Sequence, residues 1–400
     1  MGRALEFRVS VPQYLLTRAA ASLATTAPAG ALGGLRAVER PALTLPAEDW
    51  VMLEPIATGI CGTDLATLAF KGPTALEPFA SFPAVLGHEI LARVSGLGGG
   101  VTGFELGDRV VVDPLISCRT RGLAVEALCA SCALGIPAAC LHAGESGPLL
   151  VQGKALARGN CIGFHAQLPG GWSSQMMAPA RQLYRVPASV SDRAAVLTEP
   201  LAVATRAVVG MWPALSDSVL VIGSGPIALA TIWALSALGY AGRLYAQVKR
   251  AHEQKLAERL GAHRAVAPGA PVRETITSLG GRVYKPLIGP EVYAGGFDCV
   301  FDCVGSSQSL DQAVRMTRAG GSLAMLGCCT QVRNVDLTFL WARQLIVRGF
   351  VAYGPERWQG RELHTFELVL ELLERSALPI TDMITHEFGL EDYRKALEAL

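Results

Sequence analysis

The sequence has almost no net charge and no long hydrophobic run. Its 35 lysines and arginines nearly balance 34 acidic residues, and the net charge is +1 at pH 7. This balance, with no run of basic residues, argues against binding to nucleic acid or to an anionic membrane surface. Half of the residues are hydrophobic. No stretch of about 18 residues lacks polar side chains, however, so we expect no membrane span.

The N-terminal residues lack the pattern of a secretion signal. Arg3, Glu6, Arg8 and Arg18 interrupt the apolar residues, so no continuous hydrophobic segment forms. We therefore expect a cytoplasmic protein, in which the ten cysteines serve as metal ligands or buried thiols before disulfides. A length of 400 residues suggests two domains or one large one.

The clearest structural signal lies between Val219 and Gly239. The apolar run Val219–Ile222 is typical of a strand buried on both faces. A helix predicted over 227–238 points its N-terminus at the turn between them, which suits the pyrophosphate of a dinucleotide. The candidate cofactor-binding residues of that turn are Gly223, Ser224, Gly225, Pro226 and Ile227. The bare glycine pattern also fits an ordinary strand–turn–helix unit.

Strands and helices alternate after this turn. The apolar patterns predict strands at 243–248, 297–304, 322–326 and 345–351, with helices at 252–260 and 308–318. This alternation predicts an α/β fold with a doubly wound parallel sheet. Gly305 and Gly327 follow two of these strands.

Two earlier segments offer zinc ligands. Cys61 alone is more typical of a small buried hydrophobic residue. His88 and Glu89 close a second turn-like segment downstream. A thiol, an imidazole and a carboxylate can bind zinc and leave one position open for a substrate oxygen.

Together these motifs resemble the medium-chain, zinc-dependent alcohol dehydrogenases, in particular the polyol and threonine dehydrogenase branch. The motifs are GICGTD at 59–64, GHE at 87–89, a cysteine-rich lobe at 118–140, TEPLAV at 198–203 and GSGPIA at 223–228. They occur in the family's order and cover most of the chain. The resemblance implies a mainly β, GroES-like catalytic domain at 1–188, a Rossmann domain at 189–351 and a return to the catalytic domain at 352–400. In this last segment the apolar spacing predicts a helix over 361–378 and a strand at 384–388.

The resemblance also implies a catalytic zinc site. Cys61 and His88 match the family's zinc ligands, and Glu89 matches a ligand or near-ligand. Glu199 stands where conventional alcohol dehydrogenases have a third zinc-binding cysteine.

Thr63, Asp64 and Ala66 follow Cys61 in the sequence and bear on the catalytic site. Thr63 takes the place of the hydroxyl that hydrogen-bonds the substrate alcohol, and Asp64 resembles an acid that orients a zinc ligand. Ala66 stands where the family often has a histidine of a proton relay. We therefore expect the proton to leave through water or by another route.

The cysteine-rich lobe is expected to hold a structural zinc. Cys129, Cys132 and Cys140 have the spacing of the family's zinc knuckle, but Glu126 holds the position of the family's first cysteine. Cys118 keeps that cysteine's spacing from the preceding proline, so about eight residues are inserted, which a loop absorbs at little entropic cost. The alternative is a metal-free lobe held together by hydrophobic thiols.

The end of the second Rossmann strand bears on the choice of cofactor. NAD-binding units carry an acid there that accepts hydrogen bonds from the ribose. Aligning backward from Gly261 puts Arg250 at this position, with Lys249 before it. A guanidinium pairs well with phosphate, so the sequence favours NADP over NAD. NAD remains possible if both cations are merely solvated.

We therefore predict a zinc-dependent oxidoreductase that transfers a hydride between a secondary alcohol or ketone and a nicotinamide cofactor. Leu65, Leu68 and Phe70 follow the first zinc motif and favour a less polar substrate. A threonine 3-dehydrogenase-like enzyme, a polyol dehydrogenase and a non-catalytic nucleotide-binding relative are the alternatives. The family resemblance implies a homodimer or homotetramer, formed through the edge strand near 345–351.

Overall fold

The structure is a computed structural model that describes residues 2–10, 12, 14, 34–328 and 330–399. The described residues form two compact units. The first is drawn from Met1–Glu199 and Ile384–Leu400, and the second is Pro200–Met383. No helix among the described residues is both long enough and apolar enough to cross a membrane.

The first unit is mainly β. Its strands are β1 (Gly2–Phe7), β2 (Leu35–Arg40), β3 (Trp50–Thr58), β4 (Ala84–Val85), β5 (Ile90–Leu97), β6 (Arg109–Val112), β7 (Leu150–Val151), β8 (Lys154–Ala155), β9 (Met176–Pro179) and β10 (Leu183–Arg185). A five-stranded antiparallel sheet has the order β10-β6-β5-β3-β9, and a smaller sheet has the order β2-β1-β4. The larger sheet surrounds a core that includes Trp50, Val51 and Leu53.

Short helices in this unit lie in the connections between strands. They are α1 (Gly62–Leu68), α2 (Ala130–Ala133) and α3 (Asp192–Ala195). The connection between β3 and β5 carries α1 and the GHE motif, and the long connection from β6 to β9 carries the cysteine-rich lobe. The candidate zinc ligands at 61–140 therefore all lie outside the strands.

The second unit is an α/β layer structure. Its helices are α4 (Thr198–Gly210, which begins in the first unit), α5 (Pro226–Ala237), α6 (Ala251–Arg259), α7 (Ala270–Ser278), α8 (Ser307–Met316), α9 (Thr338–Ala342) and α10 (Thr365–Arg375). Its strands are β11 (Ser218–Ile222), β12 (Arg243–Gln247), β13 (Arg264–Val266), β14 (Arg282–Tyr284), β15 (Val292–Ala294), β16 (Phe297–Asp302), β17 (Thr317–Met325), β18 (Ile346–Gly349), β19 (Pro355–Trp358) and β20 (Arg361–His364). A last helix, α11 (Tyr393–Glu398), belongs to the first unit.

Six parallel strands form the central sheet of the second unit, in the order β13-β12-β11-β16-β17-β18. When only the strands of this sheet are counted along the chain, the order is 3-2-1-4-5-6, which is that of the Rossmann fold. The central strand β11 is buried at every position, and α5 is buried from Ala228 to Leu235. The predicted fold class, a Rossmann sheet joined to a mainly β GroES-like part, is confirmed.

The C-terminal segment differs in detail from the prediction. The helix predicted at 361–378 begins only at Thr365, because the four residues before it form β20 and pair with β19. No strand forms at 384–388. Residues 352–383 lie in the second unit, where the rings of Tyr353 and Phe366 pack with centroids 4.6 Å apart.

Candidate active site

Cys61 is held at the start of α1 by reciprocal hydrogen bonds. The Cys61 N–H donates to Asp64 Oδ2 at 3.0 Å, and the Thr63 N–H donates to Cys61 Sγ at 3.5 Å. This arrangement is a capping box with a sulfur as the capping atom. The Thr63 hydroxyl oxygen lies 3.7 Å from the same sulfur. The thiol and the hydroxyl are therefore fixed side by side.

His88 faces the carboxyl group of Asp64. Its Nδ1 lies 3.5 Å from Asp64 Oδ1, and both atoms are buried without a hydrogen bond of ordinary geometry to any described residue. Burial alone would lower the pKa of His88, but Asp64 and Cys61 outweigh it and hold that pKa well above its usual value. With Nδ1 turned to the acid, Nε2 is the nitrogen left for a metal, as in carboxylate–histidine–zinc sites.

Glu89 occupies space that only a glycine can provide. A Cβ atom on Gly59 would lie 1.7 Å from Glu89 Oε2, and the Gly59 N–H donates to the Glu89 carbonyl at 2.9 Å. Gly59 therefore belongs to the site. No role for Gly59 is predicted from the sequence, where its only signal is a glycine two residues before the cysteine.

These side chains form a compact group of metal-binding type. One ligand atom each from Cys61, His88 and Glu89 lie within 4.8 Å of one another. Glu199, at the start of α4, is buried. Burial and then the charge of Glu199 raise the pKa of Glu89 to about 8. Two carboxyl groups that repel each other beside a thiol and an imidazole are stabilised by a divalent cation, so this donor set fits zinc.

The four lobe cysteines also come together. The sulfur atoms of Cys118, Cys129, Cys132 and Cys140 lie within 4.8 Å of one another, and those of Cys118 and Cys140 are 3.7 Å apart. A tetrahedral zinc with bonds of about 2.3 Å would place its sulfur ligands roughly 3.8 Å apart. The arrangement therefore has the dimensions of a four-cysteine zinc site.

Backbone N–H groups surround these sulfur atoms. Those of Cys118, Cys129, Cys132 and Leu141 each donate to a cluster sulfur at 3.4 to 3.5 Å. Burial alone would raise the pKa of Cys129, yet the N–H groups of Cys132 and Leu141 lower it to about 6. Burial raises the pKa of Cys140 to about 11. A bound cation would let all four thiols ionise together.

The glycine turn of the second unit forms an open cradle at the N-terminus of α5. Gly223 has a φ of +126°, and a Cβ there would lie 3.0 Å from Val304 Cγ2. Gly225 is the N-cap residue of α5 and Pro226 is its first residue. No atom lies within 4 Å of the position of a Cβ on Gly225. The turn therefore leaves room for a phosphate beside free helical N–H groups.

The turns that follow β16 and β17 are in contact. A Cβ on Gly327 would lie 2.2 Å from the backbone nitrogen of Gly305. Asp302 fixes the first turn because its carboxylate accepts hydrogen bonds from the N–H groups of Val304 and Gly305 at 3.0 and 3.2 Å. Asp302 is not predicted from the sequence, where its only signal is an acid at the end of an apolar strand.

The end of β12 carries no acid. Val248 follows the strand, is fully buried, and donates its N–H to the Val266 carbonyl at 2.9 Å. The sequence predicts Arg250 at the end of the second Rossmann strand, but in the structure Arg250 is the N-cap residue of α6, three residues beyond Gln247. Lys249 and Arg250 are both exposed. Two accessible cations thus follow the strand where an acid would bind a ribose.

Two family models match the chain. An alcohol dehydrogenase GroES-like domain matches residues 47–188, and a zinc-binding dehydrogenase domain matches residues 226–367. The L-threonine 3-dehydrogenase of Idiomarina loihiensis is 27% identical over 86% of each chain. The L-idonate 5-dehydrogenase of Vitis vinifera is 28% identical over 86% of this chain and 82% of its own.

Solved structures share the fold. A zinc-binding dehydrogenase from Sinorhizobium meliloti, described as bound to NADP, superposes with a TM-score of 0.71 at 24% identity and covers 99% of this chain and 95% of its own. The chain belongs to the medium-chain, zinc-dependent alcohol dehydrogenases. It is an oxidoreductase that uses zinc and a nicotinamide cofactor, and these predictions from the sequence are confirmed.

Proposed function

We propose that this enzyme interconverts a secondary alcohol and a ketone with NADP(H) as its preferred cofactor. The observation that carries the proposal is the grouping of Cys61, His88 and Glu89 ligand atoms within 4.8 Å. The first unit supplies this metal centre and the second supplies the cofactor cradle, which supports a catalytic domain and a cofactor domain.

Cys61 and His88 are the proposed zinc ligands, with Glu89 or Glu199 as the third. A zinc ion held there would act as a Lewis acid on the substrate oxygen and favour its alkoxide near neutral pH. Asp64 Oδ1 faces Nδ1 of the His88 ring at 3.5 Å. Asp64 is thus a positioning residue for a ligand, and it raises the basicity of that ligand.

Thr63 is the proposed first proton carrier. Its hydroxyl lies beside the Cys61 sulfur, and its side chain is half-buried. The hydroxyl can accept the proton of a substrate alcohol and donate its own in turn. With Ala66 one turn further along α1, we propose that water carries the proton onward.

The cofactor proposal rests on the glycine turn and on the end of β12. Gly223, Ser224, Gly225, Pro226 and Ile227 form the turn and the helix start that would hold the pyrophosphate. Lys249 and Arg250 are exposed where an acid would select NAD, so they can pair with a 2′-phosphate. Gly305 and Gly327 are proposed to bound the nicotinamide side of the site.

The substrate is proposed only as a secondary CH–OH group. Leu68 and Phe70 pack into the core near Phe7, so their apolar character says nothing about the substrate. The dehydrogenases named for threonine and idonate support a polar substrate as the second candidate. Rates with threonine, polyols and simple secondary alcohols separate these possibilities.

Two further proposals concern assembly and location. All four residues of the edge strand β18 are exposed, including Ile346 and Val347, and Trp341 lies exposed nearby. An exposed apolar edge strand can pair with a second copy, which supports a homodimer or homotetramer. A four-thiol zinc site needs reduced cysteines, which supports a cytoplasmic location.

Titrating the purified enzyme with NADPH and NADH tests the cofactor proposal. We expect tighter binding of NADPH. The double change Lys249→Ala and Arg250→Ala should weaken NADPH binding about tenfold or more and leave NADH unchanged, because it removes the partners of one phosphate. Lys255→Ala, an exposed lysine further along α6, is the control. Equal binding of both cofactors by the unaltered enzyme would contradict the preference.

A further inference from the structure

Arg121 is a fully buried arginine in the segment between Cys118 and Cys129. Its Nη1 donates to the Glu145 carbonyl at 2.9 Å, and its Nη2 donates to the carbonyls of Ala143, at 3.3 Å, and Gly159. Its Nε is buried without a hydrogen bond of ordinary geometry to any described residue. The guanidinium is therefore fixed in place but incompletely satisfied.

No carboxylate of the described residues pairs with this guanidinium. The side chain of Glu145 is exposed and turns instead to His142 Nδ1, at 3.1 Å. An arginine keeps its charge in proteins, and a buried charge without a counter-charge strongly destabilises a fold. The structure thus calls for a buried anion near Arg121.

The guanidinium lies beside the cysteine cluster, because Ala143, whose carbonyl it binds, packs with Cys118 and Cys140. Burial lowers the pKa of Arg121, whereas the thiols of Cys140 and Cys118, and after them the charge of Glu145, raise it. Four neutral thiols carry no charge and could not compensate a guanidinium. Four thiolates around a doubly charged zinc ion leave two net negative charges on the cluster. The positive charge of Arg121 is therefore compensated by the metal-loaded cluster and not by the metal-free one.

We infer that Arg121 is the counter-charge of the zinc-loaded four-cysteine cluster. This inference rests on the proposed structural zinc, and it assigns a task to the residues inserted between the first two ligands. The same segment contributes Leu123 and Leu128, which pack on the cluster. The insertion therefore both covers the cluster and neutralises part of its charge.

The rate at which the lobe releases zinc to a chromogenic chelator tests this inference. The full chain carries Cys61→Ser in every sample, so that only the lobe zinc is followed. We expect Arg121→Gln to release zinc about tenfold faster, in line with the effect of partners outside the ligand set. Arg121→Lys should stay within a few-fold of the parent. Arg119→Gln, a change at an exposed arginine of the same segment, should have no effect.

The sign of the stability change separates a charge role from simple packing. We expect Arg121→Gln to lower the Tm of the zinc-loaded chain, and to raise or leave unchanged the Tm of the zinc-stripped chain, where the guanidinium has no counter-charge. An equal loss of Tm in both forms would mean that Arg121 only packs, and would overturn the inference. A parent chain that holds no lobe zinc would overturn the proposed structural site itself.

Discussion

The two cysteine-containing centres of the first unit are opposite in electrostatic surroundings. The four-cysteine cluster is ringed by backbone N–H donors and by the buried guanidinium of Arg121. The centre at Cys61 is ringed by acids, with Asp64 against His88 and Glu199 acting on Glu89. In the four-cysteine cluster the ligands carry the negative charge, and the surrounding N–H groups and Arg121 compensate part of it. The centre at Cys61 has fewer anionic ligands, and neighbouring acidic side chains add negative charge around them.

This difference matches two different tasks for a metal. Four thiolates complete a tetrahedral shell and leave no position for a substrate, so such a site stabilises the fold. A cysteine, a histidine and one acid leave a position open, which a catalytic zinc requires. Residue type alone distinguishes the two centres, and the charges around each agree with that distinction.

The sharpest separation of the two centres comes from Cys61→Ser. Serine is a good N-cap residue, so α1 should stay intact and the Tm should change little. A hydroxyl is a poor zinc ligand at neutral pH, and losing the Lewis acid should lower kcat/KM by about a thousandfold or more. Kinetics and zinc analysis on one preparation check this. Full activity in the variant would remove Cys61 from the catalytic centre.

Cys118→Ser should produce the reverse pattern. Structural zinc sites contribute directly to folding free energy, so losing one ligand should lower the Tm by roughly 10 °C. Any activity that remains at low temperature should keep an unchanged KM, because none of the proposed catalytic residues lies in this lobe. Thermal unfolding followed by circular dichroism, with zinc content measured in parallel, provides the check. An unchanged Tm would favour the metal-free lobe.

Asp64→Asn should have a smaller effect, confined to the centre at Cys61. An asparagine oxygen can still accept the Cys61 N–H, so the cap should survive. The lost negative charge beside His88 should weaken zinc binding there about 10- to 100-fold. Competition with a chelator of known affinity measures this, with the lobe zinc as the internal control. Loss of both zinc ions together would show that the variant damages the fold.

The metal-free chain should show a pH-dependent stability. The pKa of Glu89 is raised from 4.5 to about 8 in the folded chain, so the folded state binds more protons than the unfolded state between these values. The stability from this group is therefore complete below about pH 4.5 and is lost as the pH rises to about 8. Asp113, whose pKa is raised to about 7 by burial, acts in the same direction.

Tm values of the zinc-stripped chain across this range test the expectation. Glu89→Gln should reduce the decrease in Tm between pH 7 and 8. Asp113 should still cause the Tm to decrease with rising pH below pH 7. Added zinc should also remove the part of the pH dependence of Tm that comes from Glu89, because the metal ion replaces the proton on that carboxyl group. A stripped chain that becomes more stable on going from pH 5 to 8 would contradict the raised pKa.

Much of the fold follows from short-range sequence patterns. The apolar run before Gly223 and the helix after it are well predicted, because strand burial and helix capping depend on neighbouring residues. The short strand β13 and the hairpin β14–β15 were not predicted, since three-residue strands give almost no periodicity. The expected strand at 384–388 does not form, because a strand needs a partner that local sequence does not specify.

The candidate site divides in the same way. Residue types, together with the resemblance to the alcohol dehydrogenase family, indicated Cys61, His88 and the four lobe cysteines as metal ligands. Gly59 and Arg121 were not assigned roles, because each depends on a contact with a residue distant in sequence. An arginine in a loop is usually solvated, and only the fold shows that Arg121 is buried against the cysteines.

The capping role of Cys61 has a consequence for evolution. Because the same sulfur caps α1 and is the proposed zinc ligand, replacement by serine would abolish chemistry while leaving a well-formed helix. A single nucleotide change converts a cysteine codon into a serine codon. Descendants of this gene could therefore lose catalysis in one step and persist as folded, nucleotide-binding proteins. The lobe offers no such route, since losing one of its cysteines removes stability first.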